Sequence, residues 1–237
     1  MTVPPGVPRV LAEGELELLG LLPRSSNYAF LARATIDADE MLAVYKPRRG
    51  ETPLWDFPEG TLGNRETAAY VVARTLGWPN VPATVFRDGP EGPGAVQRFV
   101  PFEPAEHAFT LQERFPDAFR RVALFDVVAN NADRKAGHCL LGRDGDLFVV
   151  DHGTCFSDEP KLRTVLWDYV DEQIADEDLR DLRALRDGLE TGDVRRALDE
   201  LLSRAEVKAT IGRLDDLIAG GRFPQPGPGR PYPWPIV

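Results

Sequence analysis

Two aspartates, Asp133 and Asp151, flank the run Arg134–Val150, which also holds His138; His152 follows directly, so two of the three histidines lie within one short stretch. Phe119, Val122, Phe125 and Val128 recur at near-helical spacing up to Asn130, which puts Asp133 just past a helix end. Cys139–Leu141 and Leu147–Val150 read as a hairpin turned by Asp144–Gly145, which puts Asp151 just past a strand. Chain ends of this kind converge on clefts. A hard divalent cation such as Mg²⁺ wants oxygen ligands, and needs few from protein where phosphates supply the rest. An aspartate shortly before a glycine, as in Asp151-His152-Gly153, is a flexible ligand carrier. A second aspartate nearby can orient or deprotonate a hydroxyl nucleophile. The simpler alternative is that Asp133 caps a turn and Asp151 only ends a strand.

The rest of the chain must position these groups. It has 237 residues, 43% hydrophobic and 28% charged, enough to bury a proper core. The formal charge of −10 argues against broad nucleic-acid or anionic-membrane binding. No apolar run is long enough to span a bilayer, so no stable membrane insertion is expected. The N-terminal MTVPPGVPRV does not read as a secretory signal. Two cysteines, Cys139 and Cys155, form no disulfide framework, which makes a cytoplasmic setting the expectation.

An α+β architecture of two lobes is expected. Residues 1–100 read as a β-rich lobe. Glu15–Gly20, Asn27–Thr35 and Met41–Lys46 are strand-like, the last two joined by a turn at Asp37–Glu40. Arg48–Gly60 is a loop whose LWDFP segment, Leu54–Pro58, closes over the nucleotide, docks the acceptor, or fills the lobe core with Trp55 and Phe57. A helix follows, with Asn64 as N-cap, Ala68, Val72 and Leu76 on one face, and Gly77 as its stop. Thr84–Phe86 and Ala95–Val100 are further strand-like runs. Residues 101–222 read as mainly helical, with a helix starting at Pro116 and a last one over Leu201–Ala219. Residues 223–237 form a Pro-rich tail that either packs as an arm or stays loose, and offers a surface to a protein partner.

A lysine on a strand, a glutamate on the next helix, an Asp-Arg loop, a hairpin and then Asp-x-Gly come in the order of the atypical kinases. The chain resembles that group, which includes the phosphatidylinositol 3- and 4-kinases and the HipA-type toxin kinases. More narrowly, it resembles small actinobacterial proteins described as phosphatidylinositol 3/4-kinase-like. The resemblance runs from about Glu15 to Asp168 and implies a bilobal protein-kinase-like fold. It also implies ATP, with Mg²⁺ or Mn²⁺, as cofactors.

Carried over residue by residue, the resemblance implies roles. Lys46 holds the nucleotide phosphates and Glu66 pairs with it. Arg24, Ser25, Ser26 and Asn27 form the loop over the phosphates. Gln97, Arg98, Phe99 and Val100 form the strand and hinge whose backbone meets adenine. Asp133 orients and deprotonates the acceptor hydroxyl, and Arg134 braces the catalytic loop, with Asn130 and Asn131 beside it. Asp151 bridges the metal to the phosphates. His138 stands where relatives carry a metal-binding asparagine, and neutral imidazole suits Mn²⁺ or Zn²⁺ better than Mg²⁺. A structural role is expected for His152, a surface position for His107, and packing for Cys155.

Three readings stay open. The first is an ATP- and metal-dependent phosphotransferase acting on a protein or small-molecule hydroxyl, with nucleotide transfer as a variant. The second is a catalytically weak nucleotide sensor that binds a protein partner. The third is a metal hydrolase using Asp133, His138, Asp151 and His152 as ligands.

Overall fold

The computed structural model describes residues 2–23 and 27–237. A short helix α1 (Arg9–Glu13), unmarked in the sequence, precedes a five-stranded antiparallel sheet. The sheet comprises β1 (Glu15–Leu21), β2 (Phe30–Ile36), β3 (Asp39–Pro47), β4 (Thr84–Gly89) and β5 (Gly92–Arg98), in the order β1-β2-β3-β5-β4. Strand β2 starts three residues later than its apolar run suggests. Asn27 and Tyr28 are diverted to the loop after β3, where Asn27 Oδ1 accepts from Thr52 N at 2.7 Å and Tyr28 N donates to Gly50 O at 3.0 Å. The β2–β3 turn is only Asp37-Ala38, with Asp37 at φ 54°. Strand β5 lies nearer the N-terminus than expected, so Phe99 and Val100 fall outside it.

Alternation sets the two faces of the sheet. On β3, Ala43 and Tyr45 are fully buried and pack with Leu11, Ala32, Val85 and Val96. Leu42, Val44 and Lys46 therefore face the other way, toward the rest of the chain.

Helix α2 (Leu62–Leu76) is the hinge of the architecture. It starts two residues before the expected cap, and Asn64 lies inside its first turn. The Glu51 carboxylate does the capping, accepting from Leu62 N at 3.2 Å and Gly63 N at 3.1 Å. Gly77 ends the helix in the left-handed region at φ 82°. Nearly every side of α2 is covered. Ala69, Val72 and Leu76 belong to the same apolar core as Phe119, Phe125, Leu182 and Leu198 from the helical half.

That half comprises α3 (Ala108–Leu111), α4 (Pro116–Ala129), the hairpin β6 (Cys139–Leu141) and β7 (Leu147–Val149), α5 (Asp176–Thr191), α6 (Asp193–Leu201) and α7 (Arg204–Gly220). Helix α7 starts later than its apolar pattern suggests, because Ser203 and Glu206 form a reciprocal capping box there. The Pro-rich tail packs as an arm. Pro231 O accepts from Thr164 N and from Trp167 Nε1, each at 3.0 Å, and Ile236 O accepts from Ala136 N at 2.8 Å. Among the described residues, no helix is long and apolar enough to cross a membrane.

Candidate active site

Sheet, helix and hairpin bring three charged groups together. The Lys46 ammonium, on the outward face of β3, donates to Glu66 Oε1 on α2 and to Asp151 Oδ1 at 3.0 Å, just past β7. Glu66 is almost wholly buried, and its Oε2 has no partner among the described residues. Burial alone would weaken the Lys46 proton's hold; the carboxylates of Asp151 and Glu66 more than reverse this and keep the ammonium charged. The same ammonium holds Asp151 well below the usual carboxylate range. The Asp151 side chain is 51% exposed, so solvent screens part of that attraction. Asp151 sits at φ 63°, a left-handed conformation that turns its carboxylate into the cleft between sheet and hairpin. Gly153 lets the same segment run under α2: a Cβ there would stand 3.4 Å from Leu62 Cβ and 3.7 Å from Glu66 Oε1.

The Asp133 loop is tied to the Asp151 segment along its length. Ala132 N donates to Thr154 O at 3.0 Å, and Val150 N donates to His138 O at 3.0 Å. Asn130 ends α4 at φ 49°, and its amide reaches Ser157 O and Glu159 O at 3.0 and 2.7 Å. Asn131 Oδ1 accepts from Asp133 N at 3.0 Å, which sets the turn at the aspartate. Burial raises the Asp133 pKa, opposed by Lys135, whose Nζ lies 2.9 Å from Asp133 Oδ2. Lys135 is a candidate site residue that sequence reasoning missed, although its position two residues after the aspartate was legible.

Arg134, a candidate catalytic residue, is fully buried and points away from the cleft. It pairs with Asp126 at 3.0 Å, donates to Val150 O at 2.9 Å and meets His152 Nε2 at 2.7 Å. Asp126 also accepts from Asn131 Nδ2 at 2.9 Å and Thr164 Oγ1 at 3.0 Å. The guanidinium thus braces the loop from behind.

His152 is fully buried, edge-on to Phe125, and burial drives its pKa well below 6.5. It faces Arg134, so the four-ligand set Asp133, His138, Asp151 and His152 is not assembled. Among the described residues, no three His, Cys, Asp or Glu side chains form a metal-ligating cluster.

His138 does reach the cleft, with Nε2 at 3.3 Å from Asp151 Oδ2. Burial pushes its pKa down to about 4, so the ring is neutral. Its Nδ1 accepts from Lys135 N at 3.4 Å, which favours the tautomer with the proton on Nε2, the nitrogen facing Asp151. Offering a lone pair to a metal from Nε2 requires the other tautomer and the loss of that backbone bond. The donor set that fits a cation in this arrangement is the Asp151 carboxylate, which suits a hard ion completed by phosphate oxygens.

Ser25 and Ser26 lie outside the described residues. Asn27 is occupied by Thr52 N. Gln97 lies on the cleft face of β5, but its amide is bonded to Thr84 Oγ1 at 2.8 Å. Arg98 stacks on Phe148, 5.3 Å from the ring centre, and so links sheet to hairpin. Its N–H donates to Ala83 O at 2.8 Å, and that of Phe99 to Leu42 O at 2.9 Å. Neither amide is free for adenine. Val100 is buried just beyond them.

Arg65, adjacent to Glu66, is 1% exposed. It donates to Cys155 O at 2.6 Å and to Glu206 at the start of α7, with Phe57 stacked 4.9 Å away. This bolts α2 to the helical half. No local signal marks it, because its acidic partner lies 141 residues away.

Beside Asp133 opens a cavity of about 420 Å³ between the Leu54–Phe57 loop and the tail. Phe57 is buried in its wall, whereas Trp55 is 94% exposed at its rim and contributes nothing to a lobe core.

No protein-family model matches the chain. It is 39% identical to Protein Rv2133c of Mycobacterium tuberculosis over an alignment of 261 positions, covering 95% of this chain and 94% of that protein. It is 29% identical over 135 positions to phosphatidylinositol 4-kinase gamma 4 of Oryza sativa subsp. japonica, covering 47% of this chain and 23% of the rice protein. Among solved structures, the Helicobacter pylori proinflammatory kinase CtkA superposes with a TM-score of 0.51 at 12% identity, covering 86% of this chain and 91% of that one. At that identity the likeness concerns the fold, which is α+β and kinase-like. The chain belongs to the family of the Mycobacterium tuberculosis protein Rv2133c.

Proposed function

We propose that this chain is an ATP-dependent phosphotransferase that moves the γ-phosphoryl group to a hydroxyl acceptor. The observation that carries this reading is Lys46, on a sheet, paired with both Glu66 and Asp151 from two other parts of the chain. A lysine held charged between two carboxylates is suited to phosphate oxygens, which displace one of them.

Lys46 binds and orients the phosphates, and Glu66 fixes the direction of its ammonium. Asp151 is the residue that would hold a divalent cation, which supplies charge neutralisation on the phosphates when bound. Asp133 accepts a hydrogen bond from the acceptor hydroxyl and takes its proton as the new P–O bond forms. The bond to the β-phosphate oxygen breaks, and ADP leaves. Lys135, beside Asp133, tempers the negative charge there. Arg134 and Asp126 act only through the loop, by keeping Asp133 in place. Catalysis of this kind is positioning plus electrostatics.

The test is incubation with γ- and α-labelled ATP in Mg²⁺ or Mn²⁺, with Asp151→Ala and Asp133→Asn as controls. Release or transfer of γ label, lost in both variants, supports the reading. Transfer of α label replaces it with nucleotide transfer. Thermal stabilisation by ATP with no turnover favours the sensor reading, which the closeness of His138 to Asp151, at 3.3 Å, also supports.

A further inference from the structure

We infer that the cavity beside Asp133 is the acceptor site, that the C-terminal segment builds one of its walls, and that it takes a polypeptide with an acidic side chain next to the target serine or threonine. This rests on the phosphotransferase reading for the role of Asp133, but not for the existence of the site.

The cavity, about 420 Å³, is closed on one side by Trp55 and Phe57 and on the other by Tyr232 and Trp234, with Arg163 and Arg230 between. Trp55 and Trp234 are 94% and 74% exposed. Large rings held this far into water around one concavity mark a binding surface rather than a core. The tail reaches this place because its backbone is bonded to both sides of the Asp133 loop: Pro231 O to Thr164 N, and Ile236 O to Ala136 N.

Charge defines the occupant. Asp133 is paired with Lys135 at 2.9 Å, and Lys161 is shared between Glu159 at 3.2 Å and Asp56 at 3.5 Å. Arg163 spends one N–H on Ala132 O, and Arg230 lies over Trp234 at 5.5 Å. Arg163 also acts electrostatically on Asp133, whereas Arg230 has no ion pair among the described residues. The lining therefore offers one exposed guanidinium, Arg230, suited to one carboxylate held by a planar fork. Tryptophan, tyrosine and arginine are also the residues in which polypeptide recognition concentrates its affinity, and an aromatic rim open at the side suits a chain that runs across it. The overall negative charge opposes a wide anionic surface such as a membrane. In the reaction, the bound hydroxyl gains the γ-phosphoryl group, its proton passes to Asp133, and ADP departs.

The experiment uses the full chain without nucleotide and fluorescently labelled short peptide pools. Each pool has a central serine, with glutamate, alanine or lysine fixed beside it, and binding is read by anisotropy. ATP-induced thermal stabilisation is recorded on the same preparations. The expected result is about tenfold tighter binding of the glutamate pool than the lysine pool. Arg230→Gln removes that preference, and Trp55→Ala, at an exposed position that leaves the fold intact, weakens all pools. Equal binding of the pools overturns the inference. So does a glutamate preference that survives both Arg230→Gln and Arg163→Gln, or tighter binding to vesicles of mixed neutral and anionic lipid than to any pool. A preference of the expected kind with no ATP stabilisation supports the peptide site and overturns the ATP reading instead.

Discussion

Lys46 Nζ stands 3.0 Å from Asp151 Oδ1, across 105 residues of chain, and the same ammonium serves the buried Glu66. Lys46→Met leaves the Glu66 carboxylate buried without its cation. Stability is expected to fall by roughly 1–3 kcal/mol, with ATP stabilisation lost. Adding Glu66→Gln recovers most of the stability but none of the nucleotide binding. A double-mutant cycle in urea, run beside an ATP thermal-shift series, checks both halves.

Arg134 and Asp126 form a fully buried pair that also carries Asn131, Thr164 and Val150. Arg134→Met strands the Asp126 charge in the core. The expected loss is about 3–5 kcal/mol, visible as a lower midpoint of urea unfolding. A variant as stable as the parent would mean that the brace is dispensable.

Asp133→Asn keeps the shape of the loop and the bond its backbone N–H donates to Asn131 Oδ1, but removes the proton acceptor. Turnover is expected to fall by about 10²–10⁴-fold, while ATP stabilisation stays at the parent level. Loss of both would move Asp133 from the acceptor to the nucleotide side.

Arg65 joins α2 to α7 through Glu206 and stacks on Phe57. Arg65→Ala should loosen α2 and so the direction in which Glu66 holds Lys46. The expected signature is faster hydrogen exchange along Leu62–Ala69, together with weaker ATP binding.

Both cysteines are fully buried, and burial pushes the Cys139 thiol up to about 12 and that of Cys155 well above its ordinary 9.0. The folded chain then holds these protons where the unfolded chain releases them, so their effect on stability is a loss as pH rises from 9 toward 12. A thiol reagent at pH 8 should label neither residue until denaturant is added. Rapid labelling of the native chain would contradict the burial.

The placement of the candidate site residues on their elements was legible because those elements are local patterns. Lys46 ends an alternating strand, Asp133 follows a helix with Pro116 at its start, and Asp151 precedes a glycine after a hairpin. Each is a short-range consequence of backbone periodicity and turn chemistry, and so are Gly77 as a helix stop and the Asp144–Gly145 turn. Cap and strand boundaries were less legible where a distant group intervened. Glu51 took over the start of α2 from Asn64, and the loop bonds of Asn27 and Tyr28 shortened β2.

The sequence by itself determined the order of the main strands, helix α2, helix α4 and the hairpin, the α+β class, and the residues able to bear charge, since these depend on neighbours a few positions apart. Only the tertiary structure decided which way each charge faces. Arg134 turns inward because Asp126 lies behind it, and His152 turns inward onto Arg134 and Phe125, whereas Lys135 turns toward Asp133. Nothing in the local pattern carries that choice, because it depends on which buried polar group finds a partner across long stretches of chain. The tail became a wall of the cavity for the same reason: its carbonyls found free N–H groups at Thr164 and Ala136, a match that no composition rule for Pro-rich segments contains.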